Sequence, residues 1–245
     1  MTVATLILAF VALFAVAPSA PADGASVPTV QANRVVAIRG VIARGNLLPL
    51  GNQLLAWSHK APNVPVDIVI DSPGGDVGTG FLFVNQLEAV RARGTRVRCW
   101  VPTLAASMAF QILVHCDERY TLDHSWLLWH GVRVFGTGGE PITAESALDL
   151  ARELTRLNST ILRELNATLG LPAATVRFHF LKETLHVGRD LATLAPGFIQ
   201  SAPAYPGLME ALASAPRSQA PGLFDTGDVF EPGQIVYMAP DLAQQ

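Results

Sequence analysis

Two short segments of the chain carry residue types suited to acyl transfer: Asp71-Ser72-Pro73-Gly74-Gly75 and Leu104-Ala105-Ala106-Ser107-Met108-Ala109. The β-branched run Val66-Asp67-Ile68-Val69-Ile70 leads into the first, so the glycine pair falls where a buried strand ends. Glycine lets the backbone turn sharply there and leaves N–H groups bare, which is what a developing oxyanion requires. In the second segment, Ser107 follows the strand-like run Val97 to Val101 and opens an apolar, helix-like run. A serine at a strand-to-helix turn has its hydroxyl exposed, and the helix start contributes spare N–H donors. His130 then closes the apolar run Trp126-Leu127-Leu128-Trp129. Serine at its ordinary pKa is a weak nucleophile and needs an adjacent base. Histidine is the side chain that exchanges protons near neutral pH. Taken singly, the two have plainer readings: a helix-capping serine and a core histidine satisfied by a carbonyl.

The strand that runs into Ser72-Pro73-Gly74-Gly75, the Ala105-Ala106-Ser107-Met108 turn and the histidine after a short hydrophobic strand occur in one order with compatible spacings. In these three motifs the chain resembles the ClpP-type serine proteases of the ClpP/crotonase superfamily, over a stretch from Asn33 to Gln200. The resemblance implies Ser107 as nucleophile and His130 as base. It implies the backbone N–H groups of Gly75 and Met108 as the oxyanion hole, and the edge at Gly74 as the place where a substrate backbone pairs. It also implies a carboxylate beyond a long helix, to hold the histidine in the right tautomer. In Leu181-Lys182-Glu183-Thr184-Leu185-His186-Val187 the match is Glu183, standing where the family usually has Asp, and Asp190 is the second choice. Asp71 stands where the family often has Asn.

The elements that must position these groups follow from the pattern. Arg34 to Ile42 is strand-like and broken at Gly40, Leu47 to His59 helical, and Val66 to Ile70 an apolar strand interrupted only by Asp67, as a buried parallel strand should be. Gly78 to Arg93 places Phe81, Val84, Leu87 and Val90 on one helical face. Val97 to Val101 is a strand, Ser107 to Val114 a helix, and Arg119 to Leu122 and Ser125 to Trp129 are short strands. Such alternation with short links predicts an α/β domain with a largely parallel sheet. The resemblance sharpens this to the repeated β-β-α spiral of the ClpP/crotonase fold, with a long handle-like helix. That helix corresponds to Thr143 to Leu169, after a glycine turn at Gly136 to Gly139, with Thr143 as its cap. An ordinary helix packed on its own domain is the other reading. Asp190 to Ile199 reads as a closing helix-turn-strand.

With 245 residues, half of them hydrophobic, 15% charged and a net charge of −3, the chain is long enough for one domain with a large core and is not a disordered protein. The absence of a Lys/Arg cluster argues against nucleic acid or an acidic membrane surface as partner. Thr2 to Ala17 is almost wholly apolar and is followed by small residues, so residues 1–22 read as a secretory signal or N-terminal anchor. This predicts an exported protein, periplasmic or secreted, with membrane association only through that segment. Cys99 and Cys116 form either a disulfide, which export permits, or two buried thiols. Residues 33–200 form the domain, and 201–245, rich in Pro, Ala and Gly, read as a poorly ordered tail with a short strand at Gln234 to Met238.

Five further histidines, His59, His115, His124, His179 and His186, match no common zinc spacing, so no metal and no cofactor are expected. The function that follows is a serine peptidase acting on peptide or unfolded protein, exported and without its own ATPase, with family precedent for a homo-oligomer. Three competitors share the fold. A signal peptide peptidase-like Ser/Lys dyad would need one of the two lysines, Lys60 or Lys182, and neither is well placed in sequence. An acyl-CoA enzyme of crotonase type would need neither Ser107 nor His130. A non-catalytic binding protein would not need all of Ser107, His130 and the glycine pair.

Overall fold

The structure is a computed structural model that describes residues 28–134 and 143–215, together with the backbone of 235–238. The N-terminal apolar segment, the glycine turn at 136–139 and most of the C-terminal tail lie outside the described residues.

Five strands, β1 (Val35–Arg39), β2 (Val66–Asp71), β4 (Val97–Val101), β6 (Glu118–Leu122) and β10 (Gln200–Ala202), form a sheet in the order β1-β2-β4-β6-β10. Every pairing in it is parallel. Parallel neighbours need crossovers, and the helices supply them: α1 (Arg44–Lys60), α2 (Val77–Arg91), α3 (Met108–Val114) and α6 (Gly188–Leu194). Between β2 and α2 sits β3 (Gly74–Asp76), and between β4 and α3 sits β5 (Leu104–Ala106). Strand β5 pairs in parallel with β7 (Trp126–Leu128), which pairs antiparallel with β9 (His186–Val187). This is the α/β spiral of the ClpP/crotonase fold, in which each turn adds one strand to the main sheet and a short strand set off from it.

Alternation along the strands divides the core in two. Val36, Ile38, Ile68, Ile70, Cys99 and Val101 face the helical layer, where Leu54, Phe83, Leu87 and Phe110 meet them. Val35, Ala37, Val69, Trp100 and Tyr120 face the other way. That second face is covered by α7 (Leu208–Ser214), which brings Leu208, Ala211 and Leu212, with Tyr205 just before it. The chain beyond Ser201 therefore does not leave the domain at once: residues 201 and 202 belong to β10, and α7 closes the sheet. The small Ala211 lies buried against that face, and the same Ala-rich composition reads as a tail in sequence.

Asp67, the polar interruption of β2, is fully buried on this second face. Its carboxylate accepts a two-pronged contact from Arg98 (2.8 and 2.7 Å), a bond from the Trp100 indole N–H at 2.9 Å and one from the Gln31 N–H at 2.6 Å. A charge is tolerated there because four donors replace water. Trp100 in turn stacks on Tyr120 with ring centroids 4.2 Å apart.

Beyond β8 (Arg133–Val134) runs α4 (Ala144–Thr168), whose Thr143 hydroxyl accepts from the Ser146 N–H at 3.2 Å, as a cap should. Ile161 and Leu165 are its buried residues, whereas Leu148 is 58% exposed. The C-terminal half thus packs on the domain while the N-terminal half carries apolar surface into solvent. Helix α5 (Ala173–Lys182) has no counterpart in the sequence reading because Phe178 and Leu181 point outward and blur its apolar face. Cys99, on β4, and Cys116, after α3, are joined by a disulfide with Cα atoms 6.0 Å apart.

Candidate active site

The Ser72-Pro73-Gly74-Gly75 turn is tied to the strand that precedes Ser107. The Ser72 N–H donates to Leu104 O at 2.9 Å and the Ala106 N–H to Ser72 O at 3.0 Å. The Ser72 hydroxyl is fully buried, donates to Gly40 O at 2.7 Å and accepts from the Gly74 N–H at 3.1 Å. Asp71 accepts from the Thr103 hydroxyl at 2.6 Å, which anchors the loop into β5. Sequence reasoning passed over both of these roles, although a serine before Pro-Gly-Gly is a signal for a turn held by its own side chain.

After the turn the backbone threads between Ile42 and the rest of the site. The Ile42 N–H donates to Gly74 O at 2.7 Å and the Asp76 N–H to Ile42 O at 2.9 Å. Gly75 has φ +152°, and a Cβ there would lie 2.3 Å from the Ile42 carbonyl oxygen. No other residue fits that approach, so the Gly75 amide is fixed in place by sterics as well as by pairing. The Asp76 carboxylate caps α2 through the Thr79 N–H at 2.7 Å.

Ser107 lies on the turn from β5 into α3, with φ 62° and ψ −125°. For a residue with a Cβ this is a strained conformation that costs about 1–3 kcal/mol and persists only where the surroundings impose it. They do so here: the Ser107 N–H donates to Leu128 O at 2.8 Å, and its carbonyl accepts from Gln111 at 3.0 Å. The serine is fully buried, and its Oγ has no hydrogen-bond partner among the described residues. Met108, next in the chain, is the first residue of α3, where amides have no acceptor within the helix.

His130 comes two residues after the Leu128 whose carbonyl holds Ser107, so the β5–β7 pairing brings Ser107 and His130 to the same strand ends, without a hydrogen bond between Ser107 Oγ and His130 Nε2. The imidazole is fully buried. Its Nδ1 lies 2.7 Å from Gly131 O. A carbonyl can only accept, so Nδ1 carries the proton and Nε2 carries the lone pair, the tautomer a base requires. Glu183 is more distant, with its Oε1 3.9 Å from Nδ1. Its other oxygen takes the Arg133 guanidinium. Glu183 is also the residue that ends α5, in left-handed backbone at φ 52°. Asp190 is exposed in the first turn of α6, near His186.

Lys60 and Lys182 are exposed at the last residues of α1 and α5, whereas Ser107 is buried, so a Ser/Lys pairing has no geometric support. Among the described residues no cluster of His, Cys, Asp and Glu could hold a metal ion. The surface hollow lined by Glu88, Arg91, Thr95, Arg96 and Asp117, at the end of α2, includes none of the candidate groups.

His186 is a neighbour that the sequence reading set aside. It is buried and stacks on Trp129, the residue before His130, with centroids 4.7 Å apart. Burial, and secondarily His179, pushes its pKa from 6.5 down to about 4. As pH falls through 6.5 the unfolded chain takes up this proton first, so the contribution to stability is full above that pH and is lost on the way to 4. Between pH 8 and pH 5 this single group should cost the native chain about 2 kcal/mol. His186→Phe keeps a ring on Trp129 and should remove that part of the acid sensitivity, which urea unfolding of both proteins at the two pH values would measure.

An α/β spiral with a serine in strained backbone, a histidine at the adjoining strand end and a rigid glycine amide defines the ClpP-type arrangement within the ClpP/crotonase superfamily. The family model described as Clp protease matches residues 25–184, and the chain belongs to that family. Over 108 residues it is 34% identical to the ATP-dependent Clp protease proteolytic subunit 1 of Chlamydia pneumoniae, an alignment covering 42% of this chain and 52% of that protein. The subunit 1 of Chlamydia caviae is 32% identical over 127 residues, covering 50% and 61%. The ATP-dependent Clp protease proteolytic subunit 2 of Cutibacterium acnes is 29% identical over 133 residues, covering 52% and 61%. The chain thus spans little more than half the length of the curated relatives it matches.

Proposed function

We propose that this chain is a serine peptidase that cleaves extended peptides or unfolded protein through an acyl-enzyme on Ser107. The observation that carries the reading is Ser107 itself, a buried hydroxyl held in costly backbone beside a histidine whose tautomer leaves Nε2 able to accept a proton. Ser107 Oγ attacks the scissile carbonyl carbon as His130 Nε2 takes its proton. The oxygen that becomes negative is met by the N–H groups of Gly75 and Met108, each such donor typically worth about 10²–10³ in turnover. The imidazolium returns the proton to the leaving amine, the C–N bond breaks, and a water activated by the same nitrogen hydrolyses the ester.

Glu183 acts as the third, positioning member. Gly131 O already fixes the tautomer, so what remains for Glu183 is to stabilise the imidazolium charge. At 4 Å and an effective dielectric of 20 a full charge pair is worth about 4 kcal/mol, and Arg133 offsets much of it. Glu183→Gln should therefore lower kcat by about tenfold to a hundredfold, less than the loss of about 10⁴ seen where the acid alone holds the histidine. Steady-state kinetics of the folded variant tests this.

We also place the protein outside the cytosol, periplasmic or secreted, working without an ATPase of its own. The apolar N-terminal segment and the Cys99–Cys116 bridge support this, since disulfides persist in oxidising compartments. Among the described residues no helix is long and apolar enough to cross a membrane. Leu148, exposed on α4, fits a contact with a further copy of the chain. The central test is rapid mixing with a nitrophenyl ester. A burst equal to the protein concentration, with the acyl mass on the peptide that contains Ser107, is expected. Turnover with no burst and no acylated peptide, unchanged in Ser107→Ala, would overturn the reading.

A further inference from the structure

One element of the fold does not fit a site waiting for substrate. The C-terminal strand β11 (Ile235–Met238) lies between β3 and β8 and pairs antiparallel with both. Strands β3 and β8 do not pair with each other. Without β11 they would leave a gap of two strand spacings, about 9.5 Å, which is the width of one extended chain. One wall of the gap is the Gly74–Asp76 edge, and the other begins three residues after His130.

The register is informative. Tyr237 is paired with Gly75, Val236 with Asp76 and Met238 with Gly74. Gly74 O and Asp76 N–H are both taken by Ile42. Because successive residues of a strand turn their polar groups to alternate sides, the N–H and C=O of Gly75 face β11 at the level of Tyr237. The amide assigned to oxyanion stabilisation is thus the amide to which the C-terminal strand is paired. Ser107 and His130 are meanwhile fully buried, although a nucleophile has to be reached by its substrate.

We propose that β11 is a built-in competitor for the peptide channel: the chain's own segment Ile235–Met238 occupies the backbone-pairing edge of Gly74–Asp76 and holds the protein at low activity until an incoming extended segment displaces it. This rests on the peptidase reading for its effect on turnover, but not for the occupancy itself. Recognition through backbone pairing makes the natural competitors extended peptides with free ladder groups. A segment tethered through residues 216–234 has an effective concentration of about millimolar, enough to raise the apparent KM by about tenfold against a channel that binds it at a tenth of that concentration.

The test uses the full chain and the same chain carrying Tyr237→Pro, which removes the N–H that faces Gly75. A chain ending at Ala215 serves as the second variant. In a Ser107→Ala background, so that nothing is cut, a fluorescein-labelled peptide of sequence Gly233 to Pro240 is titrated by anisotropy. It should bind the Tyr237→Pro and shortened chains about tenfold more tightly than the full chain, whose channel is filled. With Ser107 present, Tyr237→Pro should lower KM for a fluorogenic peptide by a similar factor with little change in kcat. Equal affinity in all chains, or no binding in any, overturns the proposal, as does an unchanged KM. If the binding difference appears while no chain hydrolyses peptide, the occupied channel stands and the peptidase reading falls. If hydrolysis is present and binding does not differ, the competitor falls alone.

Discussion

Exchanging Ser107 for alanine should lower kcat/KM for a peptide substrate by about 10⁵–10⁶, His130→Ala should cost nearly as much, and the double variant should be no worse than either. The reason is that the two side chains act as one unit. Without Nε2 as base the Ser107 hydroxyl stays at the pKa of an alcohol, and without the hydroxyl the base has no proton to take. Ser107→Ala should leave the fold intact. Ser107 Oγ makes no hydrogen bond among the described residues, so removing it breaks none, and alanine meets the same strained backbone that serine does. Activity that survives a folded Ser107→Ala protein, or losses that simply add, would mean that some other group attacks. The measurement is hydrolysis of a fluorogenic peptide by the three variants, with circular dichroism to confirm folding.

The second large effect is on stability and lies far from the chemistry. Asp67→Ala should destabilise the protein by about 3–5 kcal/mol, the usual result of removing one partner of a buried ion pair. The Arg98 side chain is only 13% exposed and would be left beside an empty site, with the Trp100 indole N–H and the Gln31 N–H also losing their acceptor. Replacing Asp67 and Arg98 together by leucine and methionine should recover most of the loss, because the cost comes from the charge left behind. Urea unfolding gives both values. A fall of the midpoint by less than a third of that expected for Asp67→Ala would show that water reaches the pocket.

The main strands and the candidate residues Ser107 and His130 were legible because each has a local signature. Val97 to Val101 is a strand with the bounds expected of it, and β2 differs from its expected end by one residue, since β-branched runs buried on both faces leave little choice. Ser107 and the glycine pair stand at strand ends, where the backbone changes direction. Cys99 and Cys116, for which the sequence leaves a disulfide and two buried thiols both open, are joined across the up-and-back path of β4 and α3. Elements of two or three residues left no such mark. β3, β5, β8 and β9 have no periodicity to read, yet they carry Gly75, lead into Ser107 and flank His130 and Glu183. The resemblance pointed to Glu183, with Asp190 second, but the Gly131 carbonyl that accepts from Nδ1–H was not legible: a backbone oxygen is invisible in residue types. Nor could the order β3-β11-β8 be seen, because which edge a four-residue strand joins depends on contacts far apart in the chain.

The central claim, that Ser107 is a nucleophile activated by His130, is tested most directly with a fluorophosphonate probe. It should be applied to the full chain, to Tyr237→Pro, and to Ser107→Ala and His130→Ala made in each. Covalent labelling of the Ser107 peptide that vanishes in Ser107→Ala and falls sharply in His130→Ala is the predicted result, faster in Tyr237→Pro than in the full chain. No labelling of either folded protein, or labelling that persists in Ser107→Ala, would contradict it.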